Sequence, residues 1–165
     1  MTHSSHLSRP PARTQHSAYL PDEAATARFG GQLAERLVPG MHVYLRGELG
    51  TGKTSLIRGM LRRLGLPGAV KSPTYALVEL YVLSRLDLYH FDFYRFTDPR
   101  EFEDAGFPDH FHGKGVCLVE WPERAGELLP PPDLELTLAY SGGGRKIDAC
   151  AYSETGERCL EGLSE

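Results

Sequence analysis

Residues 41–56 read MHVYLRGELGTGKTSL, and the order of residue types in this stretch decides the fold. Met41 to Arg46 is short, carries Val, Tyr and Leu, and reads as a strand. Gly47-Glu48-Leu49-Gly50-Thr51-Gly52-Lys53-Thr54 fits the phosphate-loop pattern G-x-x-x-x-G-K-[ST]. A helix follows from about Lys53 to Leu64, burying Leu56, Met60 and Leu64 and ending at Gly65 with Pro67 beyond. Strand, glycine loop and helix are the context this loop requires. Gly47, Gly50 and Gly52 let the backbone curl so that successive N–H groups, including those around Thr51, face one anion, and the helix points its positive end at the same spot. Lys53 is then expected to reach the β and γ phosphate oxygens, and the Thr54 hydroxyl to ligate Mg²⁺. At ordinary glycine usage the pattern arises by chance in roughly one sequence of this length in two hundred, before strand and helix are required.

Working outward, Asp22 is a plausible N-cap for a helix carrying Ala25, Phe29, Leu33 and Leu37, stopped by Val38-Pro39-Gly40. Beyond the loop, Ala76 to Leu83 and Leu86 to Phe91 read as strands, the second ending at Asp92. Pro99 to Ala105 reads as a short helix with Gly106 after it. Val116 to Val119 is a fully apolar run ending at Glu120-Trp121, as expected of a buried central strand. Asp133 to Tyr140 and Arg145 to Tyr152 flank Ser141-Gly142-Gly143-Gly144 as a hairpin. These elements predict an α/β fold of the P-loop NTPase type, three-layered, with a mixed, largely parallel central sheet and a C-terminal β-hairpin. Residues 1–19, rich in Ser, His, Arg and Pro, are expected to be a disordered tail, and residues 20–165 a single ATPase domain.

The 165 residues are 41% hydrophobic and 24% charged, enough for one core and too apolar for a disordered chain. No apolar run approaches the roughly 20 residues of a spanning helix, so no membrane partner is expected. A net charge of −4 disfavours nonspecific nucleic-acid binding through the overall field. Cys117, Cys150 and Cys159 are odd in number and form no Cys-x-x-Cys pair, which favours a reducing cytoplasm over a disulfide framework or zinc site. His3, His6 and His16 lack neighbouring carboxylates or thiolates for a metal site.

A nucleotide-bound Mg²⁺ needs an acidic anchor at the end of an apolar strand beside the loop. Asp92 and Glu120 both qualify; either would bind the ion through water while the other orients the attacking water. Trp121, the only tryptophan, either packs near the nucleotide or belongs to the core. Ser72-Pro73-Thr74 follows the loop helix where a segment sensing the γ-phosphate is expected, with Thr74 the stronger candidate. Arg58, Arg62, Arg63 and Lys71 bias this region positive, more simply as a solvated face than as a docking site. His90, His110 and His112 show no metal-ligand pattern and read as structural. The chain contains no asparagine, so the Asn-Lys-x-Asp guanine-reading motif is absent and ATP is favoured over GTP.

Four segments in this order, Gly47 to Thr54, Val70-Lys71-Ser72-Pro73-Thr74-Tyr75, Tyr89-His90-Phe91-Asp92-Phe93-Tyr94-Arg95 and Cys117-Leu118-Val119-Glu120-Trp121, resemble the bacterial TsaE family. The similarity runs from about Leu20 to Tyr152. It implies a small P-loop ATPase required for threonylcarbamoyladenosine on the anticodon-adjacent adenosine of tRNA. It also implies the TsaB and TsaD proteins as partners, with TsaD transferring the threonylcarbamoyl group and tRNA met indirectly through the complex. By position, Lys53 and Thr54 take the phosphate and Mg²⁺ roles, Asp92 and Glu120 the catalytic and metal-side carboxylates, and Trp121 the adjoining place. Ser55 stands where relatives often carry a second threonine and keeps the hydroxyl for α-phosphate contact. Slow hydrolysis alone and stimulation by partners are expected, since no arginine finger can be assigned. Two other readings share the loop: a small-molecule kinase, and an assembly module gated by nucleotide without essential hydrolysis. An acidic stretch from Phe93 to His112 makes a poor lid over a triphosphate and weighs against the kinase.

Overall fold

A computed structural model describes residues 10–70 and 73–163. Seven strands form one mixed sheet: β1 (Thr14–Leu20), β2 (His42–Arg46), β3 (Val78–Val82), β4 (Asp87–Asp92), β5 (Val116–Glu120), β6 (Leu134–Ser141) and β7 (Gly144–Ala151). Helices α1 (Glu23–Ala34), α2 (Lys53–Arg63), α3 (Glu101–Asp104) and α4 (Glu154–Leu160) connect or follow them. The strand order is β1-β7-β6-β2-β5-β4-β3. The β6-β2, β2-β5 and β5-β4 pairings are parallel, whereas β1-β7, β7-β6 and β4-β3 are antiparallel. The sheet is therefore parallel only at its centre, and the expectation of a largely parallel sheet is corrected to an even division. The C-terminal hairpin and the β3-β4 ribbon are joined by tight turns, which make antiparallel neighbours, and β1 adds a third antiparallel pair at the sheet edge.

Alternation along the central strands supplies two cores. Val43 and Leu45 of β2 and Leu118 of β5 pack with Leu33, Leu56 and Met60 from α1 and α2. Tyr44, Phe91, Cys117 and Val119 face the other way, against Phe93, Phe102, Phe107 and Phe111. This second face is covered by α3 and by 3-10 turns at Phe107–His112, Pro122–Arg124 and Gly126–Leu128. Rings packed at 4.5–6.4 Å between centroids fill the space that long helices fill on the first face.

The N-cap reading of Asp22 holds: its carboxylate accepts from the Ala25 amide at 2.8 Å. Of the span expected to be a disordered tail, residues 1–9 lie outside the described residues, and Thr14–Leu20 is instead an edge strand in register with β7 from Ala151 to Arg145. Only Ala18 and Leu20 are buried along it, so little periodic signal marked it, and its partner lies far along the chain. Helix α4, with the Ser153 hydroxyl accepting from the Gly156 amide, is a further element beyond those read from the sequence. His3, His6, Lys71 and Ser72 lie outside the described residues. Among the described residues, no helix is long and apolar enough to cross a membrane.

Candidate nucleotide site

The parallel strands β2, β5 and β4 bring their C-terminal ends to one edge of the sheet, where an open α/β sheet places its ligand crevice. The glycine loop leaves β2 there, and Asp92 and Glu120, opposite one another in the β4-β5 register, end their strands beside it. A cleft of about 410 Å³ lies between loop and carboxylates. Gly50, Gly52, Lys53, Thr54 and Ser55 form one wall, and Thr74, Asp92, Glu120 and Trp121 face them. Nine of the site residues expected from sequence thus meet in one place. Gly47 and Thr51 are not on that wall. The Gly47 carbonyl accepts from Lys53 Nζ at 2.6 Å, and the buried Thr51 hydroxyl donates to the Glu48 carbonyl at 2.8 Å, so both shape the bend from behind.

The loop's conformation needs its glycines, since Gly50 and Gly52 sit at φ values of 82° and 102°. Gly52 caps α2, so the N-terminal amides of that helix open onto the cleft next to Thr54 and Ser55. Lys53 is 5% exposed, and its Nζ stands 4.1 Å from the centroid of the Trp121 ring. Burial holds the Lys53 pKa below its ordinary value, while the charges of Glu120, Asp92 and Glu123 pull it back up. Trp121 adopts a left-handed φ of 57° at the start of the Pro122–Arg124 turn, which turns its indole toward Lys53 and the Tyr94 ring, 5.0 Å away. It packs against the aromatic core on one side and lines the cleft on the other.

The carboxylates differ in their surroundings. Burial raises the pKa of Asp92; the Tyr94 amide, donating at 3.0 Å, opposes that, and the charge of Glu120 adds to it. Thr74 Oγ1 stands 3.5 Å from Asp92 Oδ2. Glu120 is instead held by His90, whose Nε2 lies 2.8 Å from Glu120 Oε2 and donates when it carries the proton. His90 thus supports a carboxylate of the cleft wall, while His110 packs on the Tyr89 ring. Arg63 pairs with Glu35 of the adjoining segment, in keeping with a solvated helix face.

Among the described residues no group of three or more His, Cys, Asp and Glu side chains is placed to hold a metal alone. Two carboxylates and a hydroxyl across a cleft are hard oxygen donors, too few for a self-sufficient cage but suited to Mg²⁺ that shares its remaining positions with phosphate and water. Sequence reasoning missed Glu23 and Tyr94 on the cleft wall, although Tyr94 lies within the quoted Tyr89–Arg95 segment. It also missed Arg145 and Tyr140, which reach the loop from the hairpin and carry no local signal.

A profile of the family described as Threonylcarbamoyl adenosine biosynthesis protein TsaE matches residues 20–147. The tRNA threonylcarbamoyladenosine biosynthesis protein TsaE of Haemophilus influenzae is 42% identical over 151 residues, 88% of this chain and 96% of that protein. Its Bacillus subtilis counterpart is 40% identical over 127 residues, 76% of this chain and 79% of the relative. The crystal structure of Bacillus subtilis YdiB superposes with a TM-score of 0.78 at 30% identity, covering 91% of this chain and 94% of that one. With the family profile spanning most of the chain and the Haemophilus relative matched over 96% of its length, this chain belongs to the TsaE family of tRNA threonylcarbamoyladenosine biosynthesis proteins.

Proposed function

We propose that this protein binds and hydrolyses ATP with Mg²⁺ as the nucleotide-driven subunit of tRNA threonylcarbamoyladenosine formation. It acts in the cytoplasm with the TsaB and TsaD proteins and meets tRNA through their complex. The observation that carries this reading is the placement of Lys53 and the α2 N-terminus across one cleft from Asp92 and Glu120. Phosphoryl transfer to water asks little covalent chemistry of a protein; positioning and charge stabilisation supply most of the effect. Loop amides and Lys53 hold the phosphate oxygens, while Thr54 with Asp92 or Glu120 would hold Mg²⁺, which neutralises phosphate charge when bound. Glu120, oriented by His90, and Asp92, oriented by the Tyr94 amide, are the two groups able to align a water. Among the described residues on the cleft wall there is no arginine, which supports slow turnover alone and stimulation by partners.

Glu120→Gln tests the reading and keeps an oxygen for His90. ATP binding is expected to stay within severalfold of wild type while hydrolysis falls at least about 100-fold, as for loss of a water-aligning carboxylate. In a reconstitution with TsaB, TsaD and unmodified tRNA, modification should be lost with it. Undiminished modification by the variant would favour the gated assembly module, and modification without this chain over many turnovers would overturn the assigned role.

A further inference from the structure

The tip of the β6-β7 hairpin grips the glycine loop from the side away from the carboxylates. Arg145 stands opposite Tyr140 of β6 and Leu20 of β1, and its guanidinium lies 4.3 Å from the centroid of the Tyr140 ring. Arg145 Nε donates to the Thr51 carbonyl at 3.1 Å, Nη2 to the Gly50 carbonyl at 3.2 Å and Nη1 to its neighbour's Gly144 carbonyl at 3.0 Å. Gly144 is what lets the strand start so close: a Cβ there would lie 2.5 Å from the Leu20 carbonyl oxygen. All three nitrogens of the guanidinium thus face carbonyls, and two of those carbonyls belong to the loop.

We propose that Arg145 is a positioning residue that sets the peptide planes of the phosphate loop for anion binding; the inference rests on the nucleotide reading of that loop. In a planar trans peptide the carbonyl and the following N–H point in opposite directions. Drawing the Thr51 carbonyl toward Arg145 therefore aims the Gly52 N–H away from it, and Gly52 lies on the cleft wall. The Thr51 N–H, paired with the Gly50 carbonyl, is held within the loop by the Glu48 carbonyl at 3.3 Å, so Gly52 is the amide that the clasp delivers. The glycines that permit this bend do not enforce it, since they populate several backbone conformations at similar cost. A flipped peptide would present a carbonyl oxygen to the phosphates and repel them. Arg145 is the charge that prevents this, and it acts through the backbone rather than on the nucleotide.

The test is Arg145→Met, which keeps the aliphatic stem and removes the donors, beside Arg145→Lys, which keeps one point donor. On the full chain, ATP and ADP affinities are measured by calorimetry, hydrolysis by steady-state kinetics, and hydrogen exchange of the Gly50–Lys53 amides by mass spectrometry. R145M is expected to raise Kd and KM about tenfold, the scale of lost charge-assisted hydrogen bonds, with kcat falling less than about threefold. R145K should fall between wild type and R145M, and faster loop exchange in R145M should return to the wild-type rate at saturating nucleotide. If R145M does not fold, R145K alone decides, with wild-type affinity and exchange overturning the clasp. Equal affinities of wild type and R145M overturn the clasp while leaving the nucleotide reading intact. A wild-type chain that binds no nucleotide overturns both.

Discussion

At the scale of single residues, the site is a place where charge is held at a cost. Asp92 is 8% exposed and lies beside Glu120, and burial and repulsion together lift its pKa, against the pull of the Tyr94 amide. A carboxyl whose folded pKa is raised binds its proton more tightly folded than unfolded. Its contribution to stability is complete at acid pH, where both states are protonated, and is lost as pH rises from the ordinary carboxylate range through the raised value. Asp92→Asn removes that loss and preserves an oxygen for the Tyr94 amide. Thermal melts at pH values rising from the ordinary carboxylate range to neutrality should show D92N gaining on wild type as pH rises, with ATP hydrolysis lost. A variant that melts below wild type at neutral pH would contradict this account of Asp92. Lys53 shows the opposite tension: burial disfavours its charge, and the two carboxylates keep it.

At the scale of elements, the position of the loop depends on how α2 lies on α1. The two helices approach so closely that a Cβ on Gly59 would lie 2.1 Å from the Ala27 carbonyl oxygen, and one on Gly30 2.3 Å from the Leu56 carbonyl oxygen. Both obstacles are backbone, so neither can swing aside. Gly59→Ala is therefore expected to destabilise by about 1–3 kcal/mol despite the better helix propensity of alanine. Because α2 begins at Lys53, the same change should weaken ATP binding. Gly31, also in α1, is the contrast: a Cβ there meets nothing nearer than 3.7 Å, and Gly31→Ala should be neutral or stabilise by up to ~1 kcal/mol. Urea denaturation of the two variants checks the pair, and equal effects would refute the close-crossing explanation.

At the scale of the whole molecule, the N-terminal strand and the C-terminal hairpin close over the loop together. Leu20 of β1 is 4% exposed and stands opposite Arg145 of β7, so the first strand helps to place the residue that grips Gly50 and Thr51. A chain beginning at Arg13 keeps the whole of β1 and serves as the reference. One beginning at Pro21 loses the strand and the burial of Leu20, a cost of at least about 2 kcal/mol, and should bind ATP more weakly. If the shorter chain were as stable and as tight a binder as the longer one, β1 would have no part in the site.

The sequence by itself determined the strand–loop–helix unit at 41–64, the two carboxylates that end apolar runs, and the hairpin, because each is written in neighbouring residues: glycines at fixed offsets, apolar period, turn composition. Trp121, ambiguous as a letter, became legible only when its backbone turned the indole between core and cleft. Tertiary structure alone decided that β1 exists, that the sheet divides evenly between parallel and antiparallel pairs, that His90 supports Glu120, and that Arg145 reaches the loop. Each of these joins segments far apart in the chain, and such pairings gain their free energy from burial and hydrogen bonds formed between partners, which no local pattern of residues records.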